Sequence, residues 1–144
     1  MSENSLKFSG VLSPVLTPFT KDLKPDSKRL VELCHWLSSQ NVALVLFGTT
    51  SEANSLSLEE KISLLDDLID AGINPSLLMP GTGCCSLTET VQLTSHAVEL
   101  GCKGTLILPP FFYKDISDDG LLRSYAETIE RVGNSALKIY LYHI

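Results

Sequence analysis

Five short apolar runs punctuate the chain, at residues 11–16, 42–47, 76–79, 105–108 and 137–142. They start roughly 30 residues apart, the length of one strand-helix unit. Within each run the apolar residues follow one another without alternating. That predicts strands buried on both faces, as in a parallel sheet. Pro14 has no N–H to give a ladder, so the first run suits a bulge or a sheet edge.

Helical spacing fills the intervals. Leu30, Leu33, Cys34 and Leu37 share one face after Asp26. Ile62, Leu65, Leu68 and Ile69 mark a second helix. Val91, Thr94, Ala97 and Val98 mark a third, and Leu122, Tyr125, Ala126, Ile129 and Val132 a fourth. Ser57-Leu58-Glu59-Glu60 and Ser86-Leu87-Thr88-Glu89 read as capping boxes, in which serine and glutamate satisfy the free N–H groups of the first turn. Gly72, Gly101 and Gly133 fall where helices should stop. Strand and helix alternate four times before a fifth strand, and right-handed crossovers then make all strands parallel. Two α/β architectures fit: an open doubly wound sheet, or part of an eight-stranded (β/α) barrel. A full barrel takes on the order of 250 residues, and this chain has 144.

Composition narrows the partners. With 44% hydrophobic and 19% charged residues the chain can build a core and is not disordered. A net charge of -6 without a basic block argues against nucleic acid and anionic membranes as partners. No run approaches the ~20 apolar residues of a membrane span. Residues 1–8 are polar and carry both charge signs, unlike a signal peptide. Cys34, Cys84, Cys85 and Cys102 follow no zinc spacing and read as reduced thiols of a cytoplasmic protein.

In both architectures ligands bind at the carboxyl ends of the strands. After the five runs come Thr17-Pro18-Phe19, Gly48-Thr49-Thr50-Ser51-Glu52, Pro80-Gly81-Thr82-Gly83, Pro109-Pro110-Phe111-Phe112-Tyr113-Lys114 and Tyr142-His143. In the second of these, Gly48 allows close backbone approach, and two hydroxyls with their amides suit a carboxylate or oxyanion. A polar turn capping the next helix is the plainer alternative. Neither GxxxxGK[ST] nor GxGxxG occurs. Gly81-Thr82-Gly83 reads as a tight turn. Tyr142 can relay a proton if its hydroxyl faces a ligand, and a core tyrosine is the equal alternative. His143 has the opposite parity and faces away. His35 and His96 read as surface or packing residues, Glu52 as a first-turn carboxylate, and Cys84-Cys85 as loop packing.

Together these segments resemble the dihydrodipicolinate synthase / N-acetylneuraminate lyase family of class I aldolases. The resemblance rests on Thr17-Pro18-Phe19, Gly48-Thr49-Thr50-Ser51-Glu52, Leu56-Ser57 with Glu59-Glu60-Lys61, Gly81-Thr82-Gly83, Pro110-Phe111-Phe112 and Tyr140-Leu141-Tyr142, in family order along nearly the whole chain. It implies a (β/α)8 TIM barrel, of which residues 1–144 are a single domain, the amino-terminal portion with about five strands and four helices. It implies a homotetramer built as a dimer of dimers, and a lysine that forms a Schiff base with pyruvate or another 2-oxo acid. It implies no metal and no organic cofactor. On this resemblance Thr50, beside Gly48, would hold the substrate carboxylate. Thr49 would sit in a proton relay, and Tyr142 would donate and accept the proton near the Schiff base.

Three departures shape the expectation. Ser51 replaces the glycine usual in the motif, which carries a strain cost if the position needs positive φ. Phe112 stands where the synthases place a tyrosine, which favours a sugar-acid or other 2-oxo acid aldolase over a true dihydrodipicolinate synthase. The family's Schiff-base lysine lies on the sixth strand, beyond this sequence. Lys138 shares parity with Tyr142 but lies about 13 Å toward the strand's foot at ~3.3 Å per residue. Lys103 opens a strand from the same wrong end, and Lys114 reads as a surface charge on a loop. The 144 residues alone are therefore expected to be inactive. The alternative is a non-catalytic module that binds a 2-oxo acid or serves assembly.

Overall fold

A computed structural model describes residues 8–144. The elements run β1 (Leu12–Pro14), α1 (Ser27–Ser39), β2 (Ala43–Leu46), α2 (Leu58–Asp70), β3 (Leu78–Pro80), α3 (Leu87–Glu99), β4 (Thr105–Ile107), α4 (Asp118–Val132) and β5 (Ile139–Leu141). Single 3-10 turns at Ala53–Ser55 and Pro75–Leu77 precede α2 and β3. The second of these displaces the expected third strand. Asn74 caps Ser76 with its side chain at 2.9 Å and Pro75 opens the turn, so the ladder begins only at Leu78. The reading of residues 1–7 lies outside the described residues.

β1, β2 and β3 form one parallel sheet, and β4 and β5 a parallel pair. A parallel bridge between Gly81 and Leu106 links the two, reinforced by the Thr82 amide donating to the Leu106 carbonyl at 3.0 Å. The strands thus lie side by side in chain order, and among the described residues they do not close a barrel. Pro14 is tolerated because donors toward β2 come from the odd positions: Val15 N–H bonds the Val45 carbonyl at 2.9 Å. Pro14 lacks its N–H on the other flank of β1, which pairs with no strand among the described residues.

Register separates the two faces. Val15, Leu44, Leu46 and Leu78 pack with Leu30 and Cys34 of α1, Leu64, Leu65 and Leu68 of α2 and Ala97 of α3 in one buried cluster. Each fully buried leucine contributes about 1.5–3 kcal/mol. The alternate residues face the other way. Pro14 pairs with Val45 and Val45 with Met79. Two residues on, Gly81 pairs with Leu106 and Leu106 with Tyr140. Strand alternation then puts Tyr142 on that same face, away from the helices.

Helix ends follow the expectation with one correction. The Ser57–Glu60 box is complete, with bonds of 3.1 and 2.8 Å. At Ser86 only the serine half forms, its Oγ accepting from the Glu89 amide at 3.4 Å. Gly72, Gly101 and Gly133 end α2, α3 and α4 with φ of 86°, 83° and 58°. Buried faces differ from the apolar stripes because threonines hide. Thr90, Leu93, Thr94 and Ala97 are buried on α3, and Thr128 on α4, while Leu122 and Ile129 are exposed. Thr128 satisfies its hydroxyl on the Ser124 carbonyl at 3.0 Å, so a polar letter takes a core position. No helix among the described residues is long and apolar enough to cross a membrane.

Candidate functional site

The tip of β2 is where the backbone departs most from ordinary conformations. Phe47 and Glu52 take φ of 53° and 55°, in the left-handed region that side chains avoid. Between them the loop folds around one carbonyl. Gly48 O accepts from the Ser51 and Ala53 amides at 3.1 and 3.2 Å, and Thr49 O accepts from Glu52 at 3.0 Å. The amides of Gly48, Thr49 and Thr50 take no partner among the described residues. Thr49 and Thr50 are exposed. Three free N–H donors and two hydroxyls therefore stand together at a strand's carboxyl end, as an anion-binding loop requires. Gly48 has neither positive φ nor any atom within 4 Å of the place a Cβ would take. Its smallness leaves room beside the backbone without any demand from the fold.

Ser51 does not adopt positive φ, so the strain expected for it falls on its neighbours instead. It is buried, and its Oγ donates to the Val15 carbonyl. Its own carbonyl accepts from Thr17 Oγ1 at 2.8 Å. A reciprocal pair of buried hydrogen bonds thus ties the loop to β1.

Gly81-Thr82-Gly83 is not a tight turn. It continues β3 past the other strands, and its glycines are required by neighbouring backbone. A Cβ on Gly81 would lie 2.3 Å from the Phe47 carbonyl oxygen, and one on Gly83 would lie 2.8 Å from the Leu108 amide nitrogen. Thr82 between them is fully buried toward α3, accepting a bond from Thr94 Oγ1 at 2.8 Å. The tips of β2, β3 and β4 therefore meet through glycines.

Tyr142 follows β5 directly. It is half-buried, and its amide donates to the Ile107 carbonyl at 3.0 Å. Below it Tyr140 fills the space opened by Gly104, where a Cβ would meet its ring at 2.6 Å, and its hydroxyl accepts from the Phe8 amide at 3.1 Å. Thr49 lines a hollow of about 160 Å³ with Glu52, Asn54 and Leu108, at the tip of β4. The structure thus places Gly48, Thr49 and Thr50 in one loop. Tyr142 lies on the same open face but three strands away, about 14 Å along a sheet, and no hydrogen bond joins it to either threonine.

The family model described as "Dihydrodipicolinate synthetase family" matches residues 7–144. The chain belongs to the dihydrodipicolinate synthetase family. It is 35% identical over 137 residues to an uncharacterized DapA-like lyase of Chloroflexus aurantiacus, covering 94% of this chain and 45% of that protein. Among solved structures it is similar to dihydrodipicolinate synthase from Agrobacterium tumefaciens, with a TM-score of 0.88 and 29% identity over 94% of this chain and 47% of that one. It is also similar to YagE of Escherichia coli in complex with pyruvate (TM-score 0.83, 28% identity, 95% and 45% covered). A 2-keto-3-deoxygluconate aldolase variant of Sulfolobus solfataricus is comparable (TM-score 0.81, 26% identity, 93% and 44% covered). These neighbours are TIM-barrel proteins, and the chain spans about half the length of the relatives it matches.

Other members of the candidate set are placed as follows. Lys114 is exposed and donates to the Phe111 carbonyl at 3.1 Å, and Lys103 lies at the foot of the sheet over the Phe8 ring. Phe112 and Tyr113 are exposed, edge to face at 5.2 Å. His35 and His143 are exposed, and His96 bonds Asp66 at 2.7 Å, joining α3 to α2. Glu52 opens a 3-10 turn without capping it through its side chain, so its predicted first-turn role is not realised. One cluster went unseen in the sequence. Lys61, buried on α2, lines a hollow of about 250 Å³ with Glu89, Cys84 and Cys85. Desolvation raises the Cys84 thiol's pKa, with Lys61 opposing and Glu89 adding to the rise. Lys61 entered the sequence reading only within Glu59-Glu60-Lys61, and nothing in that segment signalled its burial. Among the described residues no three His, Cys, Asp or Glu side chains gather as a metal site would need.

Proposed function

We propose that the whole protein is a lyase or aldolase that captures pyruvate or another 2-oxo acid as a Schiff base on a lysine carried by a sixth strand beyond Ile144. Residues 1–144 are then a single domain, the first five strands and four helices of an eight-stranded barrel. The observation that carries this reading is the loop at the tip of β2, whose three free amides and two threonine hydroxyls share the open side of the sheet with Tyr142. Thr50 and the adjacent amides hold the 2-oxo acid carboxylate. The lysine amine adds to the ketone and water leaves. Tyr142 gives and takes the proton at the reacting centre, with Thr49 in its relay. The pyruvate complex of YagE and the family membership support this ligand class.

Phe112 cannot relay a proton, which favours a sugar-acid or related 2-oxo acid aldolase over a true dihydrodipicolinate synthase. The exposed Phe112–Tyr113 pair is the kind of surface a homo-oligomer covers, and we assign a dimer of dimers in the cytoplasm, where four free cysteines stay reduced. Treating the whole protein with pyruvate and borohydride should trap one covalent adduct on a lysine. A second reading, a non-catalytic 2-oxo acid binding module, is motivated by Phe112, by the placement of Lys103 at the foot of the sheet and by the exposed Lys114 bonding back to its own loop. It predicts saturable pyruvate binding with no adduct. An intact protein that neither binds nor traps pyruvate would eliminate both.

A further inference from the structure

We propose that Ser51 is a positioning residue: its clasp on β1 holds the strained β2 loop in the shape that presents the Gly48, Thr49 and Thr50 amides to a carboxylate. The inference rests on the ligand assignment above and adds a specificity-determining residue to it.

Two non-glycine residues, Phe47 and Glu52, hold left-handed φ within six positions of each other. Such conformations persist only where surrounding contacts over-determine them. The contacts available to this loop can be named. Its interior bonds all converge on Gly48 O and Thr49 O, so they fold the loop on itself but tie it to nothing else. The hydrogen-bonded tether to another element is the clasp. Ser51 Oγ donates to Val15 O, and Thr17 Oγ1 donates to Ser51 O at 2.8 Å. Ser51 and Thr17 are 1% and 7% exposed, so water cannot replace either bond. Loss of the Ser51 hydroxyl would strand the Val15 carbonyl. It would also leave the loop tied to the segment after β1 by the Thr17–Ser51 bond alone. A loop that samples other conformations offers its three amides together for less of the time, and affinity falls by that fraction.

The test uses Ser51→Ala, Ser51→Cys and Thr17→Val in the whole protein, with pyruvate as the probe. Ser51→Ala should raise KM for pyruvate about five- to tenfold, the loss of one buried hydrogen bond, with kcat within about twofold. Ser51→Cys, which keeps a weak donor of similar shape, should recover part of that loss. Thr17→Val should repeat the Ser51→Ala effect, and the double variant should fall short of the product of the two. Amide hydrogen exchange supplies a readout independent of activity. The hydrogen-bonded amides of Ser51, Glu52 and Ala53 should exchange faster in Ser51→Ala while α2 is unchanged. Unchanged loop exchange overturns the clasp. Faster exchange with unchanged KM overturns the positioning role. If the wild type itself neither binds nor turns over pyruvate, the ligand assignment fails and the exchange result still decides the clasp.

Discussion

Gly81→Ala puts the convergence of the strand tips to a quantitative test. The added Cβ would lie 2.3 Å from the Phe47 carbonyl oxygen, 2.9 Å from its carbon and 3.3 Å from the Leu46 oxygen. All three obstacles are backbone, so no rotamer relieves them. Gly81 cannot retreat either. Its amide bonds Leu46 O at 2.7 Å, and it bridges to Leu106 on its other flank. Overpacking of this kind costs about 1–3 kcal/mol, with the upper half apt here because the neighbour must move roughly 1 Å. Because φ is not positive, alanine also recovers about 0.4–1 kcal/mol of chain entropy. The net is a destabilisation of roughly 2 kcal/mol, a fall in Tm of about 4–8 °C. The paired control is Gly48→Ala, the same change at a position where the added Cβ meets nothing within 4 Å. It should stabilise by about 0.4–1 kcal/mol. Both are read by thermal and urea unfolding. If Gly81→Ala melts with the wild type, the tips do not meet as described. Since the obstruction is the Phe47 carbonyl, Gly81→Ala should also weaken pyruvate binding.

Further tests reach the site, a cap and the buried thiols. Thr50→Val should raise KM for the 2-oxo acid roughly 10- to 100-fold, the range of one hydrogen bond to a charged group, and an unchanged KM would remove Thr50 from the carboxylate site. Tyr142→Phe should cut kcat about 10²- to 10⁴-fold while pyruvate still binds, and near-normal turnover would exclude the tyrosine as proton carrier. Ser57→Ala should cost about 0.5–2 kcal/mol of unfolding free energy by breaking the complete cap of α2, measured by urea denaturation. Ser86→Ala should cost less, its box being half formed. Burial pushes the Cys34 and Cys102 thiols up to about 12. Their folded-state pKa exceeds the unfolded value, so the stability linked to the neutral thiols is intact below about pH 9. It should drain away as pH climbs toward 12, as pH-dependent melting would show. Under native conditions at pH 8 alkylation should begin at exposed Cys85, and early labelling of Cys34 would contradict its burial.

Much of the fold was legible because its signals are local. Continuous apolar runs gave parallel strands, and Ser57-Leu58-Glu59-Glu60 and the three stop glycines work over a few residues. The faces of α3 and α4 were misjudged where a threonine stands in for an apolar residue. Thr90 and Thr128 bury themselves by giving the hydroxyl a partner, the Ser86 and Ser124 carbonyls, and burial of that kind shows no apolar letter in the sequence. The third strand slipped for a related reason: Asn74 and Pro75 make a turn whose competition with the ladder depends on where the neighbouring strand ends.

The site was legible in its residue types and illegible in its mechanics. A glycine followed by two threonines at a strand's carboxyl end allows a carboxylate site or a polar turn, and the sequence left both open. Ser51 and the Gly81-Thr82-Gly83 segment are both explained by contacts that the sequence does not show. Ser51 was weighed against its own φ, and Gly81-Thr82-Gly83 against its own turn propensity. Each answers to a neighbour distant in sequence: Ser51 to Val15 and Thr17, Gly81 to Phe47, Gly83 to Leu108. A glycine whose missing side chain accommodates another strand's carbonyl looks, in one dimension, the same as a glycine that turns the chain. The distinction is physical. A turn glycine tolerates D-like φ and tests as strain, whereas Gly81 has ordinary φ and tests as a clash. Substitution by alanine therefore separates the two, through steric overlap with a partner strand that no local pattern encodes.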